Sequence, residues 1–185
     1  MLEVRELGLP GVLEVVTRRF GDERGWFTEN WNKARWEAAG LAFDWVQDNH
    51  ARSGSAGTLR GLHFQRPPFA QTKLVRALAG SVFDVAVDIR RGSPTFGQWV
   101  GLTLSAEAGN QILVPQGFAH GYMTLEDEAE VAYKVDAPYS KESEGAVAWN
   151  DPAIGIAWPD LPPMLNDKDR DAPMLHDTDT GFATL

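Results

Sequence analysis

Apolar and polar residues alternate with a period of two through much of the chain from Leu74 onward. Phe83, Val85, Val87 and Ile89 fall on one parity and Asp84, Ala86 and Asp88 on the other, which predicts a strand with one buried face. Val100, Leu102 and Leu104 repeat the pattern after the Gly92-Ser93-Pro94 turn, and further runs follow at 111–115, 121–125 and 130–134. Upstream, residues 12–19 form a short β-branched run that enters a charged turn at 20–25 and continues into Trp26-Phe27-Thr28-Glu29. One helix is predicted, with Asn30 as its cap, residues 31–39 as its body and Gly40 as its stop. Gln47 to Asn49 read as strand, and residues 53–57 as a flexible link. Many short strands at this spacing predict an all-β sandwich or barrel. The tail from Asn150, rich in Pro and Asp, is expected to wrap it as ordered loop with short helical turns.

Composition narrows the partners more than the fold. The 185 residues are 43% hydrophobic and 23% charged, which suits one domain over 1–185 with a sizeable core. A formal net charge of -9 argues against nucleic acid or an anionic membrane surface, because both need a dense basic face. The absence of cysteine rules out a disulfide framework, a thiolate metal site and a cysteine nucleophile. Charges at Glu3, Arg5 and Glu6 stand where a signal peptide needs an apolar core, and a cytoplasmic location is expected.

Candidate chemistry concentrates at Arg60-Gly61-Leu62-His63-Phe64-Gln65 and Lys73, where an arginine, a histidine and a lysine lie within fourteen positions. Two spacings sharpen the barrel prediction. Gly109, Pro115, Gly117 and His120 match the second motif of the cupins, and Gly57 with His63 resembles the first. The expected fold is therefore a cupin-type double-stranded β-helix, a jelly-roll barrel with a few short helices. Metal-binding cupins carry a second histidine two positions after the first and a glutamate soon after. Here those places hold Gln65 and the carboxylate-free Arg66-Pro67-Pro68-Phe69, and a three-histidine centre would have to recruit His50 or His176. No metal is expected.

A longer set of ordered motifs resembles the dTDP-4-dehydrorhamnose 3,5-epimerase family: Phe20-Gly-Asp-Glu-Arg-Gly, Gln47-Asp-Asn-His, Leu59-Arg-Gly-Leu-His-Phe-Gln, Lys73-Leu-Val-Arg, Phe83-Asp-Val-Ala-Val-Asp, Ser93-Pro-Thr-Phe-Gly, Pro115-Gln-Gly-Phe-Ala-His-Gly, Tyr133-Lys and Trp149-Asn-Asp-Pro. The resemblance implies a metal-free, cofactor-free homodimer that converts dTDP-4-dehydro-6-deoxyglucose to dTDP-4-dehydrorhamnose on the route to dTDP-rhamnose, a precursor of lipopolysaccharide O-antigen and other glycans. Such chemistry needs a base on one face of the sugar, a stabiliser for the enolate oxygen and a proton donor on the other face. By resemblance these are His63 backed by Asp169, Lys73, and Tyr133. Arg24, Arg60 and Lys168 would neutralise the pyrophosphate; Glu29, Gln47, Asp48, Asn49, His120 and Glu144 resemble polar contacts to sugar and nucleotide; Tyr139 resembles the aromatic that stacks on thymine.

Plainer readings stand beside these. A histidine on a strand is usually a satisfied core or surface residue, Tyr133 could be a packing aromatic, and Lys73 could be a strand-edge lysine. Asp169 sits in the charged run Asn166-Asp167-Lys168-Asp169-Arg170-Asp171, so Asp167 and Asp171 compete for its role. Pro138 stands where relatives often have a tyrosine, and Ala51 where many carry a serine. The rival functions are a mono-epimerase acting at C3 or C5 alone, a metal cupin, and a non-catalytic sugar-nucleotide-binding cupin.

Overall fold

The computed structural model describes residues 2–182. Strands β1 (Leu2–Glu6), β2 (Leu13–Thr17), β3 (Arg19–Asp22) and β4 (Gly25–Thr28) precede helix α1 (Lys33–Ala38). Nine more strands follow: β5 (Gln47–Ser53), β6 (Leu59–Gln65), β7 (Lys73–Ala79), β8 (Ser81–Asp88), β9 (Trp99–Ser105), β10 (Asn110–Val114), β11 (Phe118–Thr124), β12 (Ala129–Val135) and β13 (Glu144–Ala146). The chain then makes a short helix α2 (Asp167–Arg170) and a 3-10 turn (Leu175–Asp177). Two sheets result, one ordered β1-β2-β10-β7-β12-β5 and the other β13-β6-β11-β8-β9, with β3 and β4 as a separate hairpin. Every strand pairing is antiparallel, as the all-β jelly-roll expectation requires.

Three apolar clusters hold these layers together. Val75, Ala77, Val82, Ala86, Ile112, Val114 and Phe118 fill the space between the sheets. The outer face of the five-stranded sheet buries Leu62, Phe64, Val85, Val87 and Ala119 under Val147, Ile154 and Leu175 of the tail. Trp36 and Leu41, from the α1 segment, cover Val15, Leu74 and Leu113 on the outer face of the six-stranded sheet. β8 is therefore buried on both faces, with Asp84 and Asp88 at 0% exposure, and is not the half-buried strand that its alternation predicts. The period of two reports which way each residue points, but a tail packed across the second face is invisible to it.

Two other expectations change. Helix α1 is capped by Asn32, whose side chain accepts from the Arg35 amide, so the helix starts later than a cap at Asn30 would place it. The proposed flexible link is a tight turn: the Gly57 amide donates to the Thr124 carbonyl, and a Cβ on Gly57 would come within 2.4 Å of the Pro162 carbonyl oxygen. Met164 pairs with Thr58 beside that turn, which is how the tail is threaded back along β6.

The decisive local feature lies in β6. Arg60 pairs with Tyr122 and His63 with His120, so three steps along β6 match two along β11. That extra residue is a bulge, and it turns both Arg60 and His63 toward the space between the sheets, where strict alternation would separate them. Gly61 makes it possible, with φ +128 and a backbone so close to β11 that a Cβ would lie 2.6 Å from the Gly121 Cα. Gly61→Ala combines a left-handed backbone with a main-chain clash and is expected to cost about 2–4 kcal/mol, lowering the melting temperature by roughly 5–15 °C in a thermal scan.

Candidate active site

Between the facing sheets lies a cavity of about 210 Å³ lined by Ala51, Arg60, His63, Lys73, His120, Tyr122, Tyr133, Asn166 and Asp169. His63 and His120 come from β6 and β11 of one sheet; Lys73 and Tyr133 come from β7 and β12 of the other. The tail supplies Asp169. Asn166 caps α2 by accepting from the Asp169 amide at 2.7 Å, and this turn aims the Asp169 carboxylate inward.

Asp169 Oδ1 lies 2.6 Å from His63 Nε2, and its Oδ2 accepts from the Gly61 amide at 3.3 Å. The side chain of Asp169 is 1% exposed and that of His63 is 30% exposed, so the carboxylate is sealed while the ring stays reachable. Burial alone would raise the Asp169 carboxyl, but the hydrogen bonds from His63 and Gly61 outweigh it and hold the group below the ordinary carboxylate range. An ionised carboxylate only accepts, so Nε2 of His63 carries the hydrogen and Nδ1 is left as the basic nitrogen. Asp169 thus meets His63, while Asp167 pairs with Arg170 on the surface.

A second histidine–carboxylate pair faces the same space. His120 Nε2 lies 2.9 Å from both oxygens of Asp84, which is fully buried. Burial pushes the Asp84 carboxyl up, against the pull of His120 and of Lys73. Burial brings Lys73 down to about 8, with Asp84 and Glu144 resisting. Lys73 therefore remains largely a cation at neutral pH in a site where charge is poorly screened. Burial raises the phenols of Tyr133 and Tyr122, the latter to about 12, in both cases against Arg60, so each keeps its proton.

A group of rim residues lies outside the cavity lining. Lys168 Nζ sits 2.5 Å from Glu144 Oε1, and the Tyr139 hydroxyl donates to Glu144 Oε2 at 3.3 Å. Gln47 accepts from the Tyr139 amide and donates to Asn49 Oδ1.

Three residues expected at the site are not brought to it. Arg24 pairs with Asp22 in the β3–β4 hairpin at 2.5 Å. Glu29 bonds Arg35 at 2.9 Å and lines a larger cavity, about 460 Å³, between the hairpin region and α1. Asp48 points to the outer face of β5 and pairs with Lys134 at 3.0 Å, because it has the opposite parity to Gln47, Asn49 and Ala51. Conversely, Asp84, Tyr122 and Asn166 belong to the site and were not predicted. Asp84 stands on the polar parity of its strand, which the alternation assigns to the exposed face, and only the tail packed over the opposite face turns that parity inward.

The family model described as dTDP-4-dehydrorhamnose 3,5-epimerase matches residues 6–177. The chain belongs to that family. It is 50% identical over 179 residues to the dTDP-4-dehydrorhamnose 3,5-epimerase of Shigella flexneri, covering 96% of this chain and 98% of the relative. With the enzyme of the same name from Salmonella typhimurium it shares 52% identity over 177 residues, 95% of this chain and 96% of the other. Among solved structures, the dTDP-6-deoxy-D-glucose-3,5-epimerase of Legionella pneumophila in complex with dTDP-4-keto-L-rhamnose superposes with a TM-score of 0.94 at 42% identity, covering 100% of this chain and 98% of that one. As an epimerase of this family the protein is an isomerase.

In the epimerase, the buried cation has a cost. Lys73 has a lower value folded, about 8, than the 10.5 of an unperturbed lysine, so the unfolded chain binds more protons between those two values and stability rises with pH across that window. Below it the penalty is constant, about 3 kcal/mol. Lys73→Met is expected to melt at a higher temperature than the parent at pH 7, with the gap closing by pH 10. A lower melting temperature at pH 7 would mean instead that Asp84 depends on Lys73 for its charge.

Proposed function

We propose that this protein, acting as one cupin-like domain over residues 1–185, inverts C3 and C5 of dTDP-4-dehydro-6-deoxyglucose to give dTDP-4-dehydrorhamnose, with His63 as base, Asp169 behind it, Lys73 at the keto oxygen and Tyr133 as proton donor. The C4 ketone acidifies both neighbouring C–H bonds. His63 takes a proton, and the C–H electron pair moves into an enolate whose oxygen is stabilised by the Lys73 ammonium. Tyr133 then gives its phenolic proton to the same carbon from the opposite face, the enolate collapses to the ketone, and the centre is inverted. His63 has gained a proton and Tyr133 has lost one; exchange with water resets both. Nothing in these steps requires a cofactor.

The observation that carries this reading is the origin of the two groups. His63 projects from one sheet and Tyr133 from the other, into one cavity that Lys73 also lines. Base and acid on opposite walls are what inversion needs and what a binding module has no use for. The cavity, about 210 Å³, is smaller than the roughly 300–1,000 Å³ of a site for a whole drug-sized ligand, so it suits the sugar, with the nucleotide laid over the rim at Gln47, Asn49, Tyr139, Glu144 and Lys168. His120 completes the sugar site, and so does Arg60, which lines that cavity and is therefore read with the sugar and not with the pyrophosphate as the resemblance implies; Arg24, Glu29 and Asp48 have no role in it within one chain.

The same reading includes a homodimer in the cytoplasm. Its support is the β3–β4 hairpin, which exposes Phe20 by 50%, Trp26 by 57% and Phe27 by 68%, an apolar surface suited to burial against a second copy.

Incubated with dTDP-4-dehydro-6-deoxyglucose in heavy water, the parent is expected to place deuterium at both C3 and C5 with inversion, read by NMR. His63→Ala should lose exchange at both carbons by about 10²–10⁴-fold, and Tyr133→Phe should keep more exchange than inversion, since the base can still take and return a proton on its own face. Label at one carbon alone would make the protein a mono-epimerase, and binding without exchange would make it a binding module.

A further inference from the structure

The loop joining β12 to β13 carries Tyr139, whose side chain belongs to no core cluster and is 56% exposed. An exposed aromatic contributes little to folding, yet the main chain around it is held at every position from 137 to 140, and glutamine side chains do the holding. Gln71 Nε2 donates to the Ala137 carbonyl at 2.8 Å. Gln65 Nε2 donates to the Pro138 carbonyl at 3.1 Å, and Gln65 Oε1 accepts from the Ser140 amide at 2.8 Å. Gln47 Oε1 accepts from the Tyr139 amide at 3.1 Å. Pro138 has no amide hydrogen, and its ring fixes φ, which removes further freedom just before the tyrosine.

Gln65 is the centre of this frame. It is 5% exposed, ends β6 two residues after His63, and also donates to the Phe69 carbonyl at 2.7 Å. One buried amide therefore ties the loop after β6 to the loop after β12, using both its oxygen and its nitrogen. Loop carbonyls and amides need partners, and water could serve them; tying them to a buried side chain anchored beside the proposed base adds a fixed distance between Tyr139 and His63. We propose that Gln65, standing where metal-binding cupins carry their second histidine, is a positioning residue that holds Tyr139 ready for the nucleotide end of the substrate. Pre-organising the aromatic removes part of the ordering cost of binding. The proposal rests on the reading of Tyr139 as the nucleotide-stacking residue given above.

The test is a double-mutant cycle on the full chain, with dTDP as the probe in calorimetry. Gln65→Leu is expected to weaken dTDP binding about tenfold, Tyr139→Ala by about 5–100-fold, and the double variant no more than about twofold beyond Tyr139→Ala, because Gln65 acts through the tyrosine. In turnover, Gln65→Leu should raise KM far more than it lowers kcat, and amide exchange at Ser140 should speed up. If Gln65→Leu does not fold, Gln71→Leu frees the Ala137 carbonyl of the same loop and should show the same pattern. Losses that multiply in the double variant, or dTDP affinity unchanged in Gln65→Leu, would overturn the positioning role alone. A parent that binds no dTDP would overturn the functional reading, and this role with it.

Discussion

The hydrogen bonds of the Asp169 carboxylate are the point on which the site depends. One oxygen reaches His63 and the other the Gly61 amide, so a single buried group orients the ring and ties down the bulge that aims it. The carboxylate arrives from more than a hundred residues downstream, on a tail held by main-chain bonds from Leu59 and Ala148 to Met164 and Pro173. Arg66 and Arg91 add side-chain bonds to carbonyls of that tail at Asp179, His176 and Thr178. Tail, bulge and histidine are one mechanical unit. The tail covers the five-stranded sheet and also completes the cavity, which links stability to chemistry through the same segment.

The interior resolves two demands that pull apart. A jelly roll of this size needs apolar layers between its sheets, and they are present in Val75, Ile112, Val114 and Phe118. Epimerisation needs a cation, a base and an acid kept from bulk water. This protein has Lys73, His63 and Tyr133 where the sheets part, and pairing opposes the cost of burial: Asp169 with His63, Asp84 with His120, and Lys73 under the attraction of Asp84 and Glu144. Unpaired charges there would be costly, and pairing opposes that cost without cancelling it: burial still raises Asp84 and lowers Lys73. Asp88, from the same strand as Asp84, shows the structural use of a carboxylate: burial would raise it, but Arg90, Ser93 and Thr95 bind it and bring it down to about 2, fixing the turn after β8.

Much of this was legible in the residues. Strands over 83–89 and 100–104 followed from the period of two, and turn residues marked their ends. His63, Lys73 and Tyr133 were named from ordered motifs, and the structure puts all three around one cavity. Asp48 was misplaced because a motif gives position in sequence and parity decides direction: Gln47 and Asn49 turn inward, and the residue between them must turn out. The helix cap moved from Asn30 to Asn32 because two asparagines satisfied the same rule and only the bond to Arg35 chooses between them.

Local periodicity and residue type at fixed spacing are enough to set the class of fold, to name the groups able to do acid–base chemistry, and to mark the family. Folding in three dimensions settles which of Asp167, Asp169 and Asp171 meets His63, that Tyr122 lines the cavity while Asp84 backs its His120, that both faces of β8 are covered, and that Arg24 and Glu29 lie elsewhere. Those outcomes rest on contacts between segments far apart in the chain, set by a one-residue bulge and by where a tail docks, and neither leaves a periodic signal in the residues that it moves.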